Sequence, residues 1–185
     1  MADRLVVLRK GRVQQIGTPE ELHTRPSNWH VADFMGFRNL LQLNVSRSDG
    51  DQVVVEGSGL RLVATPMEAL ADGDAVVVAV RPEDLVVHAG PGSTSGSSIG
   101  AVVEVVEYQG RELAVEVRTA DGLRLHVRSA ERLAPGDEVT LSVEPARLLA
   151  YGRGPEGPPE PTALAAQAPA DSADPAEALS GSSSP

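Results

Sequence analysis

The sequence predicts a mainly β protein in which a barrel built from two related halves follows a β-hairpin and two short helices and precedes a disordered tail. Three observations support this prediction. A strand-containing stretch occurs twice, about ten short apolar segments with Gly, Asp or Pro turns lie between Asn39 and Tyr151, and the last residues are rich in Pro, Ala, Gly and Ser. Short strands at close spacing are typical of small barrels and sandwiches, and the repeat favours a barrel.

The first segment is predicted to be a hairpin over residues 4–16, with its turn at Lys10 and Gly11. A helix should follow at once. Thr18 is placed to cap it, and Glu21 three residues later completes a capping box.

Proline and glycine residues set the bounds of the predicted helices. Pro19 sits at the first helical position and Pro26 ends the first helix. Ser27 is predicted to cap a second short helix, which Gly36 ends.

This hairpin and these helices are too small to bury a core of their own. We therefore expect the segment to be mobile or to dock on another chain. The apolar residues that would lose their partners are Leu5, Val6, Val7, Ile16, Trp29 and Phe34.

From Asn39 onward the pattern predicts strands. Leu41, Leu43 and Val45 alternate up to a hairpin turn at Asp49-Gly50. The further predicted elements are strands at 53–55 and 57–63, a helical turn at 66–70, a flexible connection at 88–98, a hairpin of 99–108 with 113–117, and a strand at 123–127.

The repeat organises this part of the chain. Residues 71–87, ADGDAVVVAVRPEDLVV, return sixty-three residues later at 134–150 as APGDEVTLSVEPARLLA. Each copy has a Gly-Asp turn, then a strand, and then Pro82 or Pro145. Because proline fixes φ and cannot donate to a strand ladder, each copy is predicted to bend at the proline and to end in a short apolar strand.

Composition excludes several kinds of function. The chain of 185 residues has no cysteine, which rules out disulfides, thiolate metal sites and cysteine nucleophiles. A net charge of −10, with only two Phe, two Tyr and one Trp, disfavours nucleic-acid binding. No long apolar run or secretion signal is present, so we expect no direct membrane insertion and a cytoplasmic location. Residues 152–185 are predicted to be disordered.

The most suggestive polar group lies around Pro82, where Arg81, Glu83 and Asp84 follow a predicted strand. A local ion pair or strand-end cap is the first interpretation, and contact with a ligand or another protein surface is the second. The four histidines lack the spacing of a metal site, and Asp72 and Asp74 fit a turn better than a calcium loop. There is also no G-x-x-x-x-G-K-[ST] phosphate loop or G-x-S-x-G motif, so no catalytic, cofactor-binding or metal-binding residue is assigned.

The opening, MADRLVVLRKGRVQQIGTPEELHTRPSNWHVADFMG, resembles the end of the nucleotide-binding domain of ATP-binding subunits of ABC importers for sugars, polyamines, ferric iron and phosphonates. Trp29 and His30 depart from the family pattern. The positions that carry the resemblance are Gly11, Ile16, Gly17, Thr18, Pro19, Glu20, Glu21, Pro26, Ala32, Asp33, Phe34 and Gly36.

Residues 39–151 resemble the C-terminal TOBE region of the same subunits, in which Arg81, Pro82 and Glu83 form the characteristic RPE phrase. The resemblance implies an OB-like, TOBE/MOP-like barrel at 38–151, the end of an incomplete nucleotide-binding domain at 1–37, and a tail at 152–185. The family's ATP- and Mg²⁺-binding motifs belong to an upstream domain that this sequence does not contain. We interpret the chain as a fragment or a truncated gene product, and a split subunit remains the alternative.

The resemblance implies a regulatory and dimer-stabilising part of an importer's ATP-hydrolysing subunit, at the inner face of the plasma membrane. Its partners would be a second copy of the subunit and, through the missing domain, membrane permease subunits. By itself the chain is expected neither to bind nor to hydrolyse ATP. The alternative is a stand-alone TOBE module that binds a small ligand such as an oxyanion.

Overall fold

The computed structural model of the protein describes residues 3–90 and 97–154. In chain order the elements are β1 (Leu5–Arg9), β2 (Arg12–Gly17), α1 (Pro19–Thr24), α2 (Trp29–Phe34), β3 (Asn39–Ser48), β4 (Val53–Gly57), β5 (Leu60–Pro66), β6 (Ala75–Val80), a first 3₁₀ turn (Pro82–Asp84), β7 (Val86–Ala89), β8 (Ser98–Gln109), β9 (Glu112–Thr119), β10 (Arg124–Ser129), β11 (Glu138–Ser142), a second 3₁₀ turn (Pro145–Arg147) and β12 (Leu149–Gly152). In the part of the chain that these ranges cover, no helix has the length and apolar character needed to cross a membrane.

The predicted hairpin and helices are present. Lys10 and Gly11 both have positive φ at the hairpin turn. The Glu21 amide donates to Thr18 Oγ1 at 3.1 Å and the Thr18 amide donates to Glu21 Oε2 at 2.9 Å, which completes the capping box. The predicted cap of α2 was one residue too early. Asn28 caps this helix by accepting from the Val31 amide, while the Ser27 hydroxyl donates to the Gln14 carbonyl.

The mainly β, OB-like fold built from two related halves is confirmed. Each half forms its own five-stranded sheet: a closed barrel with strand order β12-β5-β4-β3-β6, and an open sheet with order β10-β9-β8-β11-β7. The two halves exchange their last strands. β7 follows the first half but pairs with β11 of the second, and β12 follows the second half but pairs with β6 and β5 of the first.

The two repeat copies have the same turn geometry. Ala71 and Ala134 each donate their amide at 2.8 Å to the Oδ2 of the aspartate three residues later, Asp74 or Asp137. The carbonyl of that aspartate accepts at 2.9 Å from a valine amide of a neighbouring strand, β3 in one half and β8 in the other. The aspartates therefore serve turn formation, as the sequence predicted.

One local prediction around a proline was wrong. Residues 66–70 do not form a helical turn, because Pro66 ends β5 and pairs with Ala150 of β12. The predicted bends at Pro82 and Pro145 are present as single 3₁₀ turns, and a short strand follows each of them. Gly152, assigned to the disordered tail, pairs with Val76 at the end of β12, and the predicted tail beyond residue 154 lies outside the described residues.

One apolar core joins the two halves, and it takes buried side chains from β3–β6 as well as from β8–β11. Asn39 adds a polar link at its edge. This side chain is 3% exposed, and its amide donates to the His126 carbonyl at 2.8 Å while its oxygen accepts from the His126 amide at 2.7 Å. Asn39 thus satisfies both backbone groups of a residue in β10, an edge strand of the open sheet.

We expect Asn39→Ala to lower the free energy of unfolding by about 2–4 kcal/mol, because it removes two hydrogen bonds and leaves the His126 backbone groups unpaired. Asn44→Ala, at an exposed position of the same strand, should change it by less than about 0.5 kcal/mol. Urea unfolding measures both values. Equal effects of the two substitutions would contradict the role given to Asn39.

Candidate functional site

The three predicted site residues lie where β6 ends and the first 3₁₀ turn begins. Arg81 precedes this turn, and Glu83 and Asp84 belong to it. Arg81 is buried, with 5% of its surface exposed, whereas Glu83 and Asp84 are partly exposed. The structure therefore separates one buried cation from two more accessible carboxylates.

Arg81 joins the barrel to helix α1. Its Nη2 donates to the His23 carbonyl at 2.7 Å, and its Nη1 bonds to His23 Nε2. The guanidinium also lies over the Phe37 ring, 4.3 Å from the centroid, and 3.9 Å from Glu83. Burial lowers the pKa of Arg81, while the nearby charges of Glu83 and Asp84 raise it.

Asp84 contacts the second 3₁₀ turn. Its Oδ1 lies 3.8 Å from the Nε of Arg147, the residue that occupies the equivalent position of the second repeat copy. Burial raises the pKa of Asp84, and the charge of Arg147 partly opposes this shift. The two halves of the repeat therefore meet at this point through residues of opposite charge.

Helix α2 and the residues around it pack on the outside of the barrel. Trp29 and Phe37, each 4% exposed, are buried against β6 and β12. The Tyr151 hydroxyl donates to the Pro26 carbonyl at 2.9 Å, and burial raises the pKa of this phenol, which keeps it neutral. The apolar side chains on the barrel side are Val77, Ala79, Leu149, Tyr151, Leu40 and Met67.

The expectation that this segment is mobile or docks on another chain is wrong for the helices, since Trp29 packs on the barrel of its own chain. Val7 is also buried, with Leu22 and Val31. The remaining apolar residues of that expectation are exposed, at 37–74%: Leu5, Val6, Ile16 and Phe34. Packing on the barrel therefore buries Trp29 but leaves Phe34 of α2 and most of the hairpin uncovered.

Four apolar side chains form one face of this hairpin. Val6 pairs with Ile16 and Leu8 pairs with Val13 across the two strands, and each of the four is more than half exposed. Val7, between Val6 and Leu8, points to the opposite face and is buried. We call Val6, Leu8, Val13 and Ile16 the hairpin face.

A cleft of about 400 Å³ lies between the β4–β5 turn and the β9–β10 turn. The Asp121 carboxylate closes over Gly59 so tightly that a Cβ at Gly59 would lie 1.7 Å from Oδ2. The other lining residues include Leu60, Ile99 and Thr119. The cleft therefore combines the Asp121 carboxylate and the Arg61 guanidinium with hydroxyl and apolar groups.

The four histidines have separate contacts. His23 and His30 bond to arginines, His88 bonds to Ser142, and His126 lies 4.0 Å from Glu116. Within residues 3–90 and 97–154, no group of three or more His, Cys, Asp or Glu side chains is arranged to hold a metal ion.

Several residues of the contact between helices and barrel were absent from the candidates: His23, Phe37 and Tyr151. The sequence carried no signal for them, because nothing in the spacing of residues 23, 81 and 151 indicates that they meet. Only the RPE phrase pointed to Arg81, and it did not identify the helix that Arg81 contacts.

Comparisons with known proteins agree with this architecture. Residues 78–150 match the TOBE domain family. The chain is 38% identical over 148 residues to the spermidine/putrescine import ATP-binding protein PotA 1 of Pseudomonas aeruginosa, covering 77% of this chain and 39% of the relative. It is 31% identical over 152 residues to the sulfoquinovosyl glycerol transport ATP-binding protein SmoE of Agrobacterium fabrum, covering 80% and 41%.

The chain thus spans about two fifths of the length of these relatives. Among solved structures, the cytoplasmic molybdate-binding protein ModG, crystallised with molybdate, matches with a TM-score of 0.52 at 18% identity, over 66% of this chain and 96% of that one. At this identity the match shows a shared fold.

Asp84→Asn should change the pH dependence of stability. Because burial raises the pKa of Asp84 above its ordinary value of 3.8, the folded state holds this proton more tightly than the unfolded state. The contribution of Asp84 to stability is therefore present at low pH and declines as pH rises from near 3.8 through the raised value. We expect the variant to lack this decline and to equal or exceed the parent in stability near neutral pH.

Urea unfolding at several pH values measures the effect. The ion pair with Arg147 should not reverse the result, because Arg147 is largely exposed and such pairs contribute little. Asp49→Asn, which removes a carboxylate from the surface pair with Arg47, is the matched control and should shift stability by less than about 0.5 kcal/mol. A parent and Asp84→Asn variant with parallel pH profiles would refute the assignment.

Proposed function

The chain belongs to the family of ABC importer ATP-binding subunits through its TOBE domain, and on this premise we propose that it acts as the regulatory and dimer-stabilising C-terminal portion of such a subunit. The observation that carries the proposal is the packing of the helical segment on its own barrel. A segment similar to the end of an ATP-binding domain is held to the TOBE barrel by Arg81, Tyr151 and a buried apolar contact.

The hairpin face supports the proposal. A two-stranded sheet with four exposed apolar side chains is marginal in water by itself. We propose that the rest of an ATP-binding domain covers this face, because the relatives are ATP-binding proteins with further residues that this chain does not span. The hairpin would then belong to that domain, and the docked helices would connect it to the barrel.

This arrangement suggests how regulation would work. The helices contact the barrel through one buried arginine, one tyrosine hydroxyl and a layer of apolar side chains, so a movement of the ATP-binding domain would be passed to the barrel. A contact between two barrels, or a regulator bound to one, would shift the equilibrium between open and closed ATP-binding domains.

ATP and Mg²⁺ would bind to the domain that completes the subunit. The residues present here do not fit them, because the sequence has no phosphate loop and the described residues form no metal-holding cluster. The proposed partners are a second copy of the subunit and membrane permease subunits at the cytoplasmic face, and the solute class would be organic, such as the polyamines named in the relatives.

Oxyanion binding is the alternative function. The shared fold with ModG prompts it, but the cleft between the two halves does not favour it. Its lining contains the Arg61 guanidinium, but Arg61 is already paired with Glu56, and the Asp121 carboxylate repels anions. An oxyanion site needs converging donors without nearby carboxylates.

The proposed function can be tested with a chimera in which this chain replaces the corresponding part of PotA 1 from Pseudomonas aeruginosa. We expect the chimera to hydrolyse ATP and to support spermidine import. Leu8→Asp should abolish both activities, because a carboxylate on the hairpin face would be buried against the ATP-binding domain.

In the isolated chain the same substitution should change stability by less than about 0.5 kcal/mol, because Leu8 is exposed there. Asp49→Ala, at the remote tip of the β3–β4 hairpin, is the control and should leave the chimera active. An active Leu8→Asp chimera would argue against docking through the hairpin face.

The alternative is tested by thermal unfolding with molybdate, tungstate or sulfate. A ligand at 100 times its dissociation constant stabilises a protein by about 2.7 kcal/mol, which would raise Tm by several degrees. We expect no such rise at millimolar oxyanion. A rise specific to one oxyanion would favour the alternative.

A further inference from the structure

The protonation state of His23 decides whether its ring can accept a hydrogen bond from Arg81. It lies in the last turn of α1, with its side chain on the protein surface and its Nε2 bonded to Arg81. A guanidinium carries only donors and stays charged in proteins, so His23 Nε2 has to accept. An imidazole that accepts at Nε2 is neutral, with its proton on Nδ1.

We propose that Arg81 and His23 form a proton-sensitive latch between the helical segment and the barrel, closed while His23 is neutral and loosened when His23 is protonated. A protonated imidazole has donors on both nitrogens and cannot accept from Arg81. The two groups would then be cations in direct contact.

Arg81 has little freedom to move away from that repulsion. It is 5% exposed, stacks on Phe37 and donates to the His23 carbonyl. The shift has to come from α1, a six-residue helix on the surface. The latch therefore opens by displacing the helix, which is the less constrained partner.

The charged groups that surround His23 come from Arg81 at the end of β6, from the two 3₁₀ turns and from α1. The first 3₁₀ turn supplies carboxylates, of which Glu83 is largely exposed and Asp84 is engaged with Arg147 of the second turn. Solvent screens the charge of Glu83, and Asp84 already has a cationic partner. Neither carboxylate therefore removes the repulsion between Arg81 and a protonated His23. On the barrel and the two 3₁₀ turns these groups are Arg81, Glu83, Asp84 and Arg147, and on α1 itself they are Glu20 and Glu21.

A second arginine–histidine pair works in the same direction. Arg9 of β1 bonds to His30 of α2 through Nη1 and Nε2, at 2.9 Å, so this imidazole also accepts and is neutral. The His30 ring lies 3.5 Å from the Trp29 ring, centroid to centroid. Acidification would therefore weaken the contact between hairpin and α2 as well as the contact between α1 and the barrel.

The expected result of protonation is partial release of the helical segment while the barrel stays folded. Unperturbed histidine side chains change charge between about pH 5 and 8, so the test compares pH values within this range. The contacts that form the latch all lie within this chain, so the latch does not require the proposed function.

Trp29 is the only tryptophan of the chain and is buried against the barrel, so its quenching by acrylamide reports release of the segment. The test uses the full 185-residue chain with His30→Gln, which removes the titrating ring beside Trp29. We expect the quenching constant to rise about twofold from about pH 7.5 to about pH 5.5, as for local opening of a docked segment.

Adding His23→Gln should remove this rise, because glutamine offers an acceptor oxygen and does not titrate. Adding Arg81→Gln instead should give high quenching at both pH values, because the buried cation that holds α1 is gone. Far-UV circular dichroism at each pH checks that the sheets remain folded.

The proposal would be overturned if quenching does not rise in the chain that carries only His30→Gln. It would also be overturned if the rise persists after His23→Gln is added. Low quenching in the Arg81→Gln variant at both pH values would do the same. His23 lies on the surface, so its replacement by glutamine should leave folding intact, and the Arg81→Gln measurement gives an independent outcome.

Discussion

The exchange of terminal strands between the two halves is the constraint on which the rest of the structure depends. After β6 and after β11 the chain leaves its own sheet and contributes a short strand to the other. Each sheet is therefore incomplete without the opposite half, and the buried side chains form one core. Because both crossings pass through a proline-led 3₁₀ turn, the two turns lie side by side, with Asp84 near Arg147.

The crossing also explains why one repeat copy, and not the other, holds the helices. Arg81 stands immediately before the first 3₁₀ turn, and the equivalent position of the second copy is Glu144. Only the first crossing thus presents a cation to α1. Burying this cation is unfavourable by itself, and the carbonyl of His23, its imidazole and the Phe37 ring compensate for the lost water. A structural repeat has become an asymmetric docking site through the replacement of a few side chains.

The resulting molecule has two kinds of surface around its N-terminal segment. Between helices and barrel the contact is apolar and hydrogen-bonded, with Trp29, Tyr151 and Arg81 all nearly inaccessible. The hairpin face on the far side is apolar and exposed. This combination fits the proposal that the segment bridges two domains. It is fixed to the barrel, and its exposed apolar face is where we propose that an ATP-binding domain packs, while the arginine–histidine contacts would let the attachment respond to protons.

The sequence by itself determined the elements that depend on neighbours along the chain. Capping at Thr18, the Gly-Asp turns of both repeat copies and the ten strands between Asn39 and Gly152 follow from local hydrogen bonding, backbone freedom and apolar patterning. Predictions failed where two local choices were nearly equal, as at the cap of α2, where Asn28 replaced Ser27, and at Pro66, which extends β5.

Only the tertiary structure decided which strand completes which sheet and what Arg81 touches. Strand exchange leaves no mark in the pattern, because β7 and β12 are short apolar segments that fit either sheet equally well. The partners of Arg81 and Tyr151 lie 58 and 125 residues away along the chain, a separation at which sequence spacing carries no information. Arg81 and Tyr151 are buried because the whole barrel packs against the helices. The contact between helices and barrel therefore forms only when folding brings these distant segments together.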